Sequence, residues 1–441
     1  METASPDDGA IERSALSKAT WRLLPMIGVG YGIAYMDRVN LSFASVQMNV
    51  DLNFSAAVYG LGGGLFFLGY ALFEIPSNLL LVRFGARRWI ARIMLTWGAL
   101  AVAMMFVRTP IQFYMVRFFL GVAEAGFFPG VIYYLTQWFP AAHRGRAISR
   151  FYIAWPVSQV VMGVIAGALL GLDGTLGLRG WEWLFLVEGL PAVLMSAVVL
   201  FLLPDSPAAA KWLTDTEKDW ITRRLAADAE LLGPQKPHSI LRAIFNPLVL
   251  MVSAVNFLVL GSWYAFTLSA PDLLQQATGL SITDVGYLIA GAGVLAGIGM
   301  LFNGWHSDWS KERYFHLAIP LVLMGLSYAV MALTTNSIVV MAAYAFAVAC
   351  NGAIAVLFWL VPGDLLHPRA MAVSVAAINA IGQFGSFVSP YAWGLSKDLT
   401  GSFHAGLLAL PVPYLVAAGI ILLLRRQVRI REAAATLAAS A

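Results

Sequence analysis

The chain has 441 residues, of which 59% are hydrophobic and 12% charged, with a mean hydropathy of +0.74 and a formal net charge of +4. Soluble domains carry about 25% charged residues, so this composition excludes an ordinary soluble domain and points to an integral membrane protein. The single cysteine, Cys350, excludes an intrachain disulfide and a cysteine-based zinc cluster.

The first 20 residues are polar, with Asp7, Asp8 and Glu12. No basic segment precedes a short apolar core there, so no cleavable signal peptide is expected. Twelve apolar segments follow, each near the ~20 residues that a span needs. They lie near 23–47, 57–81, 90–108, 111–137, 147–171 and 183–203, then near 248–274, 284–304, 316–335, 337–361, 370–396 and 402–424. Thr109-Pro110 marks a short turn between spans 3 and 4. Between spans 6 and 7 the stretch 204–247 is polar and bounded by prolines. Within it, "LTDTEKDW" reads as a helix start with Thr214 or Asp215 as cap. The expected fold is all-α, with twelve transmembrane helices in two pseudo-symmetric six-helix bundles. The first bundle takes 1–203, a cytoplasmic linker 204–247, and the second bundle 248–441.

Twelve spans place both termini on one side. Twenty-three of the 28 Lys and Arg residues fall in the terminal tails, the loops and the adjoining span ends of that side. Only Arg108, Arg179 and Lys397 fall in the opposite loops, and Arg38 and Arg117 lie within spans. Basic loops stay in the cytoplasm, so both termini are expected there. The pI near 9.1 is then a matter of topology, and no nucleic-acid partner is expected.

Two local matches suggest a repeat. "HRGRAIS" after span 4 answers "HPRAMAVS" after span 10, with His143 and His367 separated by 224 positions. "NLLLVRFGARR" after span 2 answers "GWHSDWSKER" after span 8, with Asn78 and Gly304 separated by 226. Both shifts correspond to six spans. Duplicated halves with a midplane site between them are a recurring plan of secondary transporters.

Four ionisable residues sit inside the apolar segments. Asp37 and Arg38 are about fourteen residues into span 1, roughly 21 Å into a core of about 30 Å. In span 4, Arg117 and Glu124 are seven residues apart and share a helix face. A charge at the bilayer centre costs about 2.5–3.5 kcal/mol, so the four require mutual pairing or a cavity. Fully ionised, Asp37 and Glu124 cancel Arg38 and Arg117. When both carboxyls take protons, two cations are left to attract an organic anion. A bound anion in turn favours protonation, and that mutual preference is what coupling requires. The simpler reading is a structural ion-pair set joining spans 1 and 4.

Other polar and aromatic residues could join them. Tyr35 lies one turn from Arg38. Tyr70 is mid-span 2, and Asn379 and Gln383 share a face of span 11. Trp359 with Phe358, and Tyr264 with Trp263, could form an apolar wall. Glu74 and Glu188 are acids in spans 2 and 6, with Glu188 expected near the outer end; structural or gating pairing is expected of both. The glycines of "GLGGGLFFLG" and "GAGVLAGIG" suit close helix packing.

The blocks "YMDRVNLSFA", "GYALFEIPSNLLLVRFGARRW", "RFFLGVAEAGFFPGVIYYLTQWFP" and "GWEWLFLVEGLPAVL", which runs on to "LPDSPAAAKWLTDTEKDW", carry a family likeness. The chain resembles the major facilitator superfamily and, within it, the anion:cation symporter branch. That branch includes sugar-acid, tartrate, phthalate and hydroxyphenylacetate permeases and lysosomal sialin. The resemblance implies an acid–arginine pair at Asp37 and Arg38, an Arg-x6-Glu at Arg117 and Glu124, and substrate-contacting tyrosines at Tyr35 and Tyr70. The acid usual before the Arg-x-Gly of loop 2–3 is replaced by Val82, whereas Asp308 is kept in loop 8–9. Gating is therefore expected of Asp308 with Arg369. The span 5 glycine–proline pattern of antiporters is missing from "WPVSQVVMGVIAG".

The expected function is proton-coupled uptake of a small hydroxy-, aromatic or sugar-acid carboxylate, by a monomer in a bacterial inner membrane. Proton coupling is expected of Asp37 and Glu124. Substrate contact is expected of Arg38, Arg117, Tyr35, Tyr70, Asn379, Gln383, Trp359 and Tyr264. The alternative is an organic-anion uniporter or exchanger in which the charged cluster is structural. No metal or cofactor is expected, and no HExxH, GxSxG or P-loop suggests an enzyme.

Overall fold

In the computed structural model, residues 6–232, 245–365 and 371–440 are described, and among them every regular element is a helix. Ten helical segments are long and apolar enough to cross a membrane. They are span 2 (Ala56–Phe84), span 3 (Ala86–Phe106), span 4 (Pro110–Thr136), span 5 (Ala141–Leu170), span 6 (Gly180–Leu202), span 7 (Pro247–Thr267), span 8 (Ile282–Ser310), span 9 (Phe315–Leu333), span 10 (Ser337–Ala355) and span 12 (His404–Ile430). Two further long helices complete the set: span 1 in Pro6–Asp51 and span 11 in Met371–Thr400. Asp37 and Arg38 lower the hydropathy of the first. Asn379, Gln383 and several serines lower that of the second. The two helices that fall short of a plain hydropathy criterion thus carry polar groups at mid-depth, where such groups are expensive and functional by default.

Helix pairing follows a six-span repeat. Span 2 packs on span 4 and span 8 on span 10; span 3 packs on span 6 and span 9 on span 12; span 1 packs on span 5 and span 7 on span 11. The halves join where span 2 meets span 11 and span 5 meets span 8, and the shift of six exchanges these two contacts.

The halves approach most closely in the part of the fold away from the termini. A Cβ on Gly64 would run into the Phe387 carbonyl, and one on Gly163 would lie 2.5 Å from the Gly286 carbonyl. Without a hydrophobic drive between helices in lipid, such close backbone packing holds them together. The Asp398 carboxylate also accepts from the backbone N–H of Ala56 and Ala57 in the first half, at 3.0 and 2.8 Å. This far end is therefore closed. Gly64→Leu should prevent that closure. It should destabilise the closed form by about 1–3 kcal/mol, the usual cost of overpacking, and lower the melting temperature in detergent.

Span 1 belongs to a longer helix than its apolar segment suggests, because the polar run before Leu23 continues it and docks on the linker. There Thr214 caps Asp215–Leu232: its hydroxyl accepts from the Glu217 N–H at 3.3 Å, and the Glu217 carboxylate accepts from the Thr214 N–H at 2.9 Å. This is the reciprocal capping box of a T-x-x-E sequence. Glu217 also accepts from Ser14 at 2.6 Å and Lys18 at 2.7 Å. Burial pushes its carboxyl pKa up, but those partners and the Thr214 N–H hold it down to about 2. The tie between span 1 and the linker is thus a fixed ion pair.

Candidate functional site

Consecutive helix residues project about 100° apart, so Asp37 and Arg38 cannot share a face. Arg38 turns toward span 4 and the gap between the halves. Its Nε donates to Glu124 Oε1 at 2.9 Å, and a terminal nitrogen donates to the same oxygen at 2.5 Å. The side chains are 15% and 1% exposed. Glu124 Oε2 has no hydrogen-bond partner among the described residues. The guanidinium also lies over the rings of Phe66 and Tyr70, at 5.5 and 5.2 Å from their centroids.

Glu124 owes its position to a break in span 4. The helix Pro110–Glu124 ends there, Gly126 adopts φ +85°, and a new helix runs over Phe127–Thr136. A left-handed residue is cheap only for glycine. A Cβ at Gly126 would also clash with the Ser77 hydroxyl. The sequence "EAGFFPG" thus ends one helix at the carboxylate and starts the next at once.

Arg117 also lies over the Phe66 ring, 4.8 Å from its centroid, and is 2% exposed with its Nε unbonded among the described residues. It does not line the central cavity. Asp37 is also 2% exposed and away from the cavity, with Oδ2 unbonded and within electrostatic reach of Arg117. The four charges therefore form two unequal sets: Arg38–Glu124 at the cavity wall, and Asp37 with Arg117 deeper in the first bundle.

Near Asp37 the structure revises one expectation. Glu188 is not at the outer end of span 6. It lies two turns inside Gly180–Leu202, 3% exposed, with both carboxyl oxygens unbonded among the described residues. Asn40, fully buried with neither amide atom bonded, and Asp37 are the polar groups facing it. Unmet polar groups are costly in a bilayer core.

The cavity has a volume of about 180 Å³ and takes lining from both halves. The first half supplies Tyr31, Tyr35, Arg38, Tyr70, Tyr152 and Trp155. The second supplies Asn256, Trp263, Tyr264, Asn351, Phe358, Trp359, Asn379 and Gln383. Tyr35 meets Trp155 edge-on at 5.8 Å, and Tyr264 meets Phe67 across the interface at 4.2 Å. Gln383 has an unbonded Oε1. Asn379, however, gives its amide to Glu74, with 2.8 Å to each carboxyl oxygen. Its expected substrate contact is thus occupied by a hydrogen bond that joins the two halves. Of the expected contacts, Arg38, Tyr35, Tyr70, Tyr264, Trp359, Gln383 and Asn379 come together on one cavity, and Arg117 does not.

Tyr31, Tyr152, Trp155, Asn256 and Asn351 were not singled out from sequence. Tyr31 is one turn before Tyr35 on the same face, a signal that was available. Asn256 donates to the Ile378 carbonyl at 3.0 Å and so braces span 11. Of the expected gating pair, Asp308 is exposed beside Lys311 and Glu312 at the end of span 8. Arg369 lies outside the described residues.

The family model described as Major Facilitator Superfamily matches residues 27–390. A protein of Agrobacterium vitis named "Putative tartrate transporter" is 40% identical over 427 residues, covering 95% of this chain and 94% of that protein. A "Quinolone resistance transporter" of Acinetobacter baumannii is 38% identical over 93% of this chain and 94% of its own length. Among solved structures, a bacterial homolog to the human lysosomal transporter Spinster, inward-facing and unoccupied, superposes with a TM-score of 0.75 at 18% identity. That match covers 96% of this chain and 98% of that one, and it is a likeness of fold. With its blocks, its six-span repeat and these relatives, the chain belongs to the major facilitator superfamily.

Proposed function

We propose that this transporter takes up a small organic carboxylate together with protons, by alternating access about the cavity between its halves. The observation that carries the reading is the Arg38–Glu124 pair. One partner lines the cavity and the other is 1% exposed behind it. When Glu124 takes a proton, Arg38 loses its counter-charge and can hold a carboxylate by its planar fork. When the anion leaves, Glu124 releases its proton and reclaims the guanidinium. Proton and anion binding then favour each other, as reciprocal linkage demands. Asp37 balances Arg117 and is assigned a second, deeper proton. Asn379 is released to the substrate when the Glu74 contact breaks, and Asp308 with Arg369 closes the other end.

The cavity is smaller than the roughly 300–1,000 Å³ of drug-sized pockets and is walled by rings and amides. A hydroxy-, aromatic or sugar-acid monomer suits it, and the relative named for tartrate supports an acid. The basic loops support termini in the cytoplasm, and a bacterial inner membrane suits the named relatives. We take 1–203 and 248–441 as the two moving bundles, with 204–247 as their tether and the monomer as the working unit.

The burial of Asp37 and Arg117 away from the cavity favours a second reading, in which the charges are structural and the protein is a uniporter or exchanger. Proteoliposomes preloaded with organic acids and assayed by counterflow, then under an inward proton gradient, separate the two. Symport predicts accumulation above the outside level only with the gradient; the second reading predicts counterflow with no response to it.

A further inference from the structure

Beyond the central cavity, a second concavity runs along the outside of the first bundle, between spans 1 and 5. Its apolar part, about 690 Å³, extends along span 1 from Trp21 to Met36 and is backed by Ile153, Val157 and Val161 of span 5. Val29, Ile153 and Val157 are about half exposed along it, at 54%, 47% and 52%. On a membrane-spanning surface such side chains meet lipid. The fifteen helical steps from Trp21 to Met36 cover roughly 22 Å, more than half of a core of about 30 Å. The slot can therefore hold an acyl chain through a whole leaflet.

At the terminal end the slot opens without a break into a polar hollow of about 320 Å³, with which it shares Thr20, Trp21 and Arg150. The hollow also presents Arg13, Arg146 and the Ser17 hydroxyl. The one acid in it, Glu12, is paired with His143 at 3.0 Å. Arg13, Arg146 and Arg150 form no ion pair among the described residues, so the hollow keeps a positive balance. Trp21, 76% exposed at the junction, is the amphipathic ring expected at headgroup depth.

An apolar slot one leaflet long, ending in unpaired arginines and hydroxyls, is complementary to a single molecule type. We propose that this groove binds an anionic phospholipid of the cytoplasmic leaflet, with one acyl chain between spans 1 and 5 and its phosphate against Arg150, Arg146 and Arg13. Basic pockets between helices on that side of a membrane suit acidic headgroups, and juxtamembrane cations attract that leaflet. The site touches span 1, which carries Arg38, so a seated lipid would brace the helix that must move in transport. The proposal uses the topology with both termini in the cytoplasm and is otherwise independent of the cargo.

Native mass spectrometry of the purified protein tests it with palmitoyl-oleoyl phosphatidylglycerol, the matching phosphatidylcholine, and glycerol phosphate as the headgroup alone. Phosphatidylglycerol adducts should persist to higher activation than phosphatidylcholine adducts, and glycerol phosphate should not displace them. Arg146→Gln and Arg150→Gln should each weaken binding by about fivefold, the contribution of one cation near an acidic membrane surface. Gly28→Leu should weaken both lipids, because a Cβ there points into open space and a larger side chain would fill the slot. Equal retention of the two lipids by the unmodified protein would overturn the proposal even if a variant failed to fold. Displacement by glycerol phosphate alone would make the site a free-phosphate pocket. A persistent dimer in place of lipid adducts would assign the groove to a second copy of the chain.

Discussion

Glu124→Gln should abolish uphill uptake while leaving exchange intact. Glutamine imitates the protonated acid in shape and charge, so Arg38 stays free to hold the anion, but the proton exchange that frees and reclaims Arg38 is lost. Accumulation driven by an inward proton gradient should fall by about 5–150-fold, the span of typical coupling free energies. Counterflow between equal pools should persist. Because the Glu124 side chain is 1% exposed and, among the described residues, accepts from Arg38 alone, the substitution removes one ion pair and little packing. Uphill uptake unchanged by Glu124→Gln would remove this residue from coupling.

The second large effect concerns Arg38. Arg38→Gln leaves the Glu124 carboxylate buried without its partner. Removing one member of a buried pair costs about 3–5 kcal/mol, so the variant should melt well below the unmodified protein and bind no carboxylate. The double variant Arg38→Gln, Glu124→Gln removes both charges and should recover most of that stability. It should still not transport. Arg38→Lys keeps the charge but loses the fork, and should bind the anion more weakly with little change in melting temperature. The double variant separates the two readings: a purely structural pair could be replaced without loss of exchange, whereas a substrate-binding arginine could not. Thermal unfolding and counterflow on the same preparations read both outcomes.

The fold was legible because lipid imposes long apolar helices and leaves few alternatives. The ten plain spans follow from hydropathy, and spans 1 and 11 were found despite their polar residues. Boundaries were less legible where polar helix continues past the membrane, as before Leu23, since hydropathy does not register a helix that docks on the Glu217 capping box. Within the site, spacing placed Tyr35 near Arg38, and Tyr70 proved to lie under the same guanidinium. Spacing did not reveal that Arg38 would cross to Glu124, because partners on different helices depend on the break at Gly126. Nor could it give Asn379 to Glu74, 305 positions away, or bring both guanidiniums against the Phe66 ring. Glu188 was misplaced by depth: an acid early in an apolar run reads as interfacial, but the helix begins at Gly180 and carries it inside.

The central claim is that anion and proton enter together because a proton on Glu124 frees Arg38 to hold the anion. It is tested most directly by loading vesicles that contain the purified protein with a pH-sensitive dye, setting no initial pH gradient, and adding an organic acid anion outside. The account predicts that the lumen acidifies as the anion enters, and that Glu124→Gln carries anion in exchange without acidification. Entry of the anion with no proton movement in the unmodified protein would contradict it.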